Sequence, residues 1–300
     1  MRDRLKKGLS AFLPENRIFT DEPLSRHSTF KTGGPASLFV RVTDIDELRR
    51  TIRLLQEEGE RVFLLGRGSN ILADDAGFDG TIVQLAEGFD RIQTEGERLI
   101  VQAGASMIRT AVVARDSGLS GLEFASGIPG SVGGGVVMNA GAYGGEMRQV
   151  IEEADLLLED GSLRTFTCAE LELGYRTSVL KRIRACVVEV RFRLTQAPKD
   201  VISQTMEELN RRRILKQPLE YASAGSTFKR PEGHFAGQLI EEAGLKGLKI
   251  GDAQVSEKHC GFVINRGNAT SAEIKGLIDI IQKRVYEHSG IMLEREVIYL

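Results

Sequence analysis

Residues 127–146 read GIPGSVGGGVVMNAGAYGGE, and the rest of the chain is organised around them. Eight of these twenty residues are glycine, and most of the others are Ala, Ser or Asn, with Tyr143 the single aromatic. Glycine lacks Cβ, so such a backbone takes left-handed turns and approaches a ligand closely. A run of this kind exposes successive backbone N–H groups, which suits a pyrophosphate. Taken alone, it is also the pattern of a loop between two sheets or of a tightly packed helix. A second cluster, GRGSN, occupies residues 66–70. Two such loops in one chain point to a large anionic ligand held at two places.

Upstream of GRGSN, a strand is expected over 37–42. A helix follows from Asp44, with Glu47 at capping-box spacing, Ile45, Leu48, Ile52 and Leu55 as its apolar stripe, and Gly59 as its stop. The next strand, 61–65, runs straight into Gly66. This β-α-β pattern invites a dinucleotide-fold reading, which fails. The fingerprint needs a third glycine opening a helix, and here ILADDAGFDGTIV follows, broken by Gly77 and Gly80. No Walker A pattern occurs either. The first loop is therefore expected to bind phosphate through its own N–H groups, with no helix dipole behind it.

Further strands are expected at 81–85, 99–103, 154–158 and 185–194, with a helix over 106–117. In 185–194, Val188, Val190, Phe192 and Leu194 alternate with Glu189, Arg191 and Arg193, the period of a half-exposed strand. Near Pro198 the character changes. A charged helix spans 199–216 and ends in Arg211, Arg212, Arg213 and Lys216, either a solvated face or an anion site. A helix near 235–243 and a strand at 261–265 come next. Thr270 and Glu273 then cap a helix over 272–288 that Gly290 ends, and residues 291–300 read as a strand.

The totals narrow the function classes. The 300 residues allow two domains, and 41% apolar residues are enough for substantial cores. A net charge of −2 gives no electrostatic case for nucleic acid. No apolar run approaches the roughly 18 residues of a membrane span. Cys168, Cys186 and Cys260 form no C-x-x-C pair and are odd in number, as in a reducing cytosol. His259 and Cys260 are adjacent, which is not metal-site spacing. The expectation is a cytoplasmic, metal-free, monomeric protein.

Five motifs occur in one order: GRGSN, the central glycine stretch, GYRTSVLK at 174–181, AGSTFKRP at 224–231 and LEREV at 293–297. Together they resemble the UDP-N-acetylenolpyruvoylglucosamine reductase family of peptidoglycan synthesis, from about Thr29 to Leu300. The resemblance implies an α+β protein. A two-subdomain FAD-binding domain of the vanillyl-alcohol-oxidase type would occupy 1–197, divided near residue 80. A substrate lobe would occupy 198–300, with strand 291–300 returning toward the flavin. It implies non-covalent FAD and a two-stage reaction: NADPH reduces FAD, and the hydride then passes to the enolpyruvyl group, giving UDP-N-acetylmuramate. The short connection from Arg176 to 185 resembles the subclass that lacks a tyrosine-bearing loop. One departure is Arg230, where the family usually has Asn.

By the resemblance, the flavin is held by Gly66, Arg67, Gly68, Ser69 and Asn70, by Gly127, Ile128, Pro129, Gly130, Ser131, Gly133 and Gly134, and by Asn139, Ala140, Gly141, Ala142, Tyr143, Gly144 and Gly145. Arg176 stabilises negative charge on the carbon bearing the carboxylate, Ser226 donates the proton, and Glu296 supports the network around them. Tyr175, Lys216, Lys229, Arg230, Lys246 and His259 are the implied substrate contacts. Singly, Arg176 reads as a surface arginine, Ser226 as a turn residue and Glu296 as a solvent-facing strand residue. Only their joint occurrence reverses that. Two rival readings are a flavin oxidase of the wider FAD family and a non-catalytic nucleotide-sugar sensor. The first usually tethers its flavin through His or Cys, and neither loop contains one. The second has no need for a proton donor.

Overall fold

The computed structural model describes residues 2–85 and 87–300. They fall into two compact units, each discontinuous in sequence. The first comprises 1–20, 38–67 and 80–212, and the second 21–37, 68–79 and 213–300. The sequence reading divides the chain near residue 80 and after residue 197, into continuous segments. The difference arises because two loops near the N-terminus are packed with the C-terminal residues, a grouping set by long-range contacts.

In the first unit, helix α1 (Arg2–Ser10) buries Leu5 and Leu9. Helix α2 (Ile45–Glu57) begins where expected, Asp44 accepting from Glu47 N–H at 2.8 Å. The box is not reciprocal, however. The Glu47 carboxylate accepts from Thr43 N–H and is held in the fork of Arg17 at 2.6 and 2.7 Å. A four-stranded sheet runs in the order Ile18–Pro23, Pro35–Val42, Phe78–Leu85, Val62–Leu65. The expected β-α-β unit is thus split by an intervening strand: Val62–Leu65 pairs in parallel with Phe78–Leu85. A five-stranded antiparallel sheet follows, ordered Leu163–Thr167, Ile151–Leu158, Ala185–Arg193, Arg98–Gln102, Ile92–Glu95. Val188, Val190 and Phe192 of its central strand are buried. Its two edge strands, polar and short, had carried no period-two signal.

Helix α3 (Met107–Asp116) is capped by Ser106 and ends before Gly118 in the left-handed region (φ 70°). Helix α4 (Val132–Val137) lies inside the central glycine stretch, capped by Ser131. Helix α5 (Lys199–Lys216) buries Ile202 and Met206. Its Arg211 and Arg212 both bond Glu208, so these two match a solvated face rather than an anion site.

In the second unit, helices α6 (Ala236–Glu242) and α7 (Ser271–Ser289) share a core with a three-stranded sheet, Lys249–Ile250, Ala253–Val255, Val263–Asn265. The Thr270/Glu273 capping box of α7 is complete, and Ile274, Leu277, Ile278, Ile281 and Val285 are fully buried. Asp75 supplies a cap that the sequence did not announce. Its two carboxylate oxygens accept from Ser271 N–H (2.7 Å) and Ala272 N–H (2.9 Å). The expected strand over 291–300 shrinks to Ile298–Tyr299, which pairs in parallel with Ile71–Leu72. Leu293 and Val297 are buried while Met292 is 60% exposed.

Candidate active site

Gly66 stands against the second glycine stretch: a Cβ there would collide with the Ser131 hydroxyl. The Gly66 carbonyl is held by the Gln84 side chain at 3.2 Å. Gly68 has φ 62°, and a Cβ on it would strike the His27 carbonyl oxygen. Only glycine fits both demands. Among the described residues, the backbone N–H groups of Arg67, Gly68, Ser69 and Asn70 donate to no protein acceptor. Four successive free donors match the nest expected of this loop.

The second stretch differs from its expectation. Val132 N–H donates to Ala105 O and Gly133 N–H to Ala103 O, both at 2.8 Å, and Gly134 N–H donates to Ser131 Oγ at 3.3 Å. The first two fasten α4 to the segment before α3, the third caps α4 itself, and none of the three is offered to a ligand. The glycines serve close packing instead. A Cβ on Gly133 would press on Ala103, and one on Gly135 on Met107, whereas at Gly134, which is exposed, it would meet only Ser131 Oγ at 3.3 Å. Gly134 therefore leaves room for a ligand against α4. Farther on, Gly141–Ala142 pairs with Gly145–Glu146 as a hairpin, with Tyr143 at its tip 43% exposed.

Arg176 is attached to this same stretch. Gly174 and Thr177 bridge a tight turn that puts Arg176 in the left-handed region (φ 54°). A side chain there costs about 1–2 kcal/mol, and glycine or asparagine is the usual solution. Asn139, wholly buried, holds the turn by donating to Gly174 O at 3.0 Å, while its own Oδ1 accepts from Arg148 N–H at 2.9 Å. Arg176 Nη2 donates to Gly141 O at 3.3 Å, and its guanidinium lies 5.2 Å from the centre of the Tyr175 ring. Tyr175 is 52% exposed.

Ser226 and Glu296 belong to the second unit, on two segments that pair there. Glu296 N–H donates to Thr227 O at 2.9 Å, Phe228 bridges Arg295, and Lys229 N–H donates to Glu294 O at 2.8 Å. This antiparallel run joins the AGSTFKRP and LEREV motifs. Ser226 is exposed beside fully buried Thr227. On its other side the run reaches the first glycine loop: Asn70 Nδ2 donates to Glu296 O at 3.1 Å.

The implied substrate contacts sit in varied surroundings. The Lys229 ammonium pairs with the Glu294 carboxylate, and Lys246 with Glu241, which raises the Lys246 pKa. The Arg230 guanidinium stacks 3.9 Å from the centre of the Phe235 ring. Burial pushes the His259 imidazole below its usual range, and the Lys216 charge adds to this. His259 Nδ1 accepts from Gly261 N–H at 3.1 Å, which leaves the neutral ring its proton on Nε2. Among the described residues, no three His, Cys, Asp or Glu side chains are grouped to hold a metal, and no helix is long and apolar enough to cross a membrane.

Two family models match in register with this layout. The FAD binding domain matches residues 36–167, and the UDP-N-acetylenolpyruvoylglucosamine reductase C-terminal domain matches residues 217–300. The chain is 46% identical to the reductase of that name from Agathobacter rectalis, over 99% of this chain and 98% of the relative. It is 43% identical to the one from Alkaliphilus oremlandii, over 98% of each chain. The crystal structure of UDP-N-acetylenolpyruvylglucosamine reductase (MurB) from Thermus caldophilus superposes with a TM-score of 0.81 at 36% identity, covering 94% of this chain and 97% of that one. The chain belongs to the UDP-N-acetylenolpyruvoylglucosamine reductase family.

In this reductase-family chain the backbone donors of 67–70 are unspent, as binding of an anionic group by that loop requires, and, taken by itself, Gly134 leaves space that a Cβ would fill. The two loops separate two substitutions. Gly68→Val is expected to lower stability by about 3 kcal/mol or more, because it adds strain at positive φ to a clash with backbone. Gly134→Val is expected to keep a melting temperature close to the parent while losing flavin. Thermal unfolding and flavin absorbance of both variants check this, and full flavin in a stable Gly134→Val would remove α4 from the cofactor site. The sequence reading assigns Asn139 to the flavin, and its hold on Gly174, 35 positions away, has no local sequence signal.

Proposed function

We propose that the chain is an FAD- and NADPH-dependent reductase that converts UDP-N-acetylglucosamine enolpyruvate to UDP-N-acetylmuramate. The observation that supports it most is the short ladder in which the Glu296 backbone bonds Thr227, the residue after Ser226, and Asn70 of the glycine loop. The free backbone donors of residues 67–70 would hold a phosphate of the cofactor. Bound there, FAD would supply the hydride chemistry of the reduction at the terminal carbon of the enolpyruvyl group, with NADPH as the reductant.

The chain's own residues handle the charge and the proton. Addition at the terminal carbon leaves negative charge on the carbon that bears the carboxylate. Arg176 meets that charge with a planar, permanently ionised fork, already oriented by its turn and by Gly141 O. The Ser226 hydroxyl hands its proton to that carbon. Alone it is a poor acid, but it is adequate against a carbanion once neighbours polarise it. Glu296 supports the hydrogen-bond network around the same centre. Lys216, Lys229, Arg230, Lys246, Tyr175 and His259 would recognise the diphosphate and sugar.

The test is direct. Purified protein is expected to be yellow, to bleach on anaerobic addition of NADPH and to regain colour on adding the enolpyruvyl substrate. Colourless protein that neither binds flavin nor oxidises NADPH would refute the proposal. Arg176→Lys keeps the charge and loses the fork, so turnover is expected to fall about 10²–10³-fold with flavin retained. A parental rate in that variant would assign the role to another cation.

A further inference from the structure

Glu296 lies on an irregular stretch, residues 291–297, so no regular sheet fixes its backbone. Three hydrogen bonds do so instead. Its N–H donates to Thr227 O at 2.9 Å. Its carbonyl accepts from Asn70 Nδ2 at 3.1 Å. Two residues on, Ile298 N–H donates to the Asn70 carbonyl at 3.0 Å. Asn70 therefore grips the chain on both sides of Val297, which is buried. A backbone carbonyl only accepts, so the side-chain contact requires the amide nitrogen of Asn70 and identifies its rotamer.

We propose that Asn70 is a positioning residue for Glu296: its carboxamide sets where the Glu296 carboxylate stands, coupling the first glycine loop to the chemistry of the second half-reaction. This rests on the role given to Glu296 above. The loop's part in holding a phosphate uses backbone N–H groups, which any side chain at position 70 keeps. The carboxamide is thus free for a second task. Few other side chains perform it. Asp has the same shape but offers an acceptor to an acceptor, Ser is too short to span the gap, and Ala leaves the carbonyl unmatched.

The frame around Asn70 is rigid enough for a local effect. Ile71–Leu72 pairs with Ile298–Tyr299, and Asp75 is locked to the start of α7 by two hydrogen bonds. Loss of one carboxamide then shifts the 296–297 peptide without releasing the segment. A displacement of about 1 Å in a reacting geometry costs on the order of 10²-fold in rate.

The experiment uses flavin-loaded Asn70→Ala and Asn70→Asp, each alone and combined with Glu296→Gln. Stopped-flow follows bleaching by NADPH and recovery with substrate, and hydrogen exchange follows the backbone amides of 296–298. Both single variants are expected to retain flavin, to bleach near the parental rate and to recover about 10²-fold more slowly. The Ile298 amide is expected to exchange faster, with those of 263–265 unchanged. In the Glu296→Gln background, the Asn70 substitutions are expected to add no further slowing. Parental recovery in both single variants overturns the proposal, as do loss of flavin, equal slowing of both stages, or full additivity with Glu296→Gln. Should Asn70→Ala fail to fold, the isosteric Asn70→Asp decides. A parental rate in Glu296→Gln alone overturns the Glu296 reading instead, and is recognised because Ile298 exchange in the Asn70 variants still rises.

Discussion

Ser226→Ala is expected to bleach with NADPH at the parental rate and to recover with substrate up to about 10⁴-fold more slowly, the upper range for loss of a positioned proton donor. The two stages separate because only the second delivers a proton to a substrate carbon. The structure makes this substitution clean. The turn is anchored by the next residue: Thr227 is fully buried, its N–H donates to Gly261 O at 2.9 Å, and its hydroxyl accepts from Val263 N–H at 3.0 Å. Ser226 itself is exposed and follows Gly225, whose φ of 76° turns the chain. Removing its hydroxyl leaves those anchors in place, so flavin content and melting temperature should match the parent. Ser226→Cys is expected to recover part of the second stage, since a thiol with a pKa of about 8.5 still donates. Equal slowing of both stages would make Ser226 a turn residue only.

The contrast between Ser226 and Thr227 also marks what a sequence discloses. Elements with local causes were legible: the 3.6-residue stripe and capping box of α7, the Asp44 cap of α2, and the period-two pattern of 185–194. Short runs such as GRGSN stood out as motifs because they carry their own backbone constraint: Gly68 sits at positive φ against the His27 carbonyl. What escaped were consequences of distance. Val132 and Gly133 looked like free donors, and only the fold brings Ala105 and Ala103 to take them. Asp75 caps a helix that begins 196 residues later. Asn70 reaches Glu296 across 226 positions. No window of sequence contains either pair, and neither residue type announces such a partner. The C-terminal segment shows the same limit from the other side. Residues 291–300 read as a strand, but a segment forms a strand only where a neighbour pairs with it, and here pairing in a strand is confined to Ile298–Tyr299.

Glu296→Gln and Glu294→Gln are expected to part widely, although the two carboxylates are two residues apart. In the structure they have different surroundings. The Glu294 side chain is 71% exposed and pairs with Lys229. An ion pair that open to solvent contributes roughly 0–1 kcal/mol, so Glu294→Gln should be mild in both stages. Glu296 is half-buried, and its backbone is held between Thr227, next to Ser226, and Asn70 of the glycine loop. A carboxylate that orients and polarises a proton-transferring group is costly to replace by its amide, by about 10⁴-fold in the serine-protease triad. Glu296→Gln is therefore expected to slow recovery of the flavin by about 10³-fold or more while bleaching and flavin content stay parental. The amide keeps the shape and removes the charge, so a loss confined to the second stage reports electrostatics rather than packing. The opposite ranking, a mild Glu296→Gln and a damaging Glu294→Gln, would move the role two residues along the same segment. Parental recovery in both would leave the C-terminal segment with a structural part only, that of closing the sheet beside Ile71–Leu72.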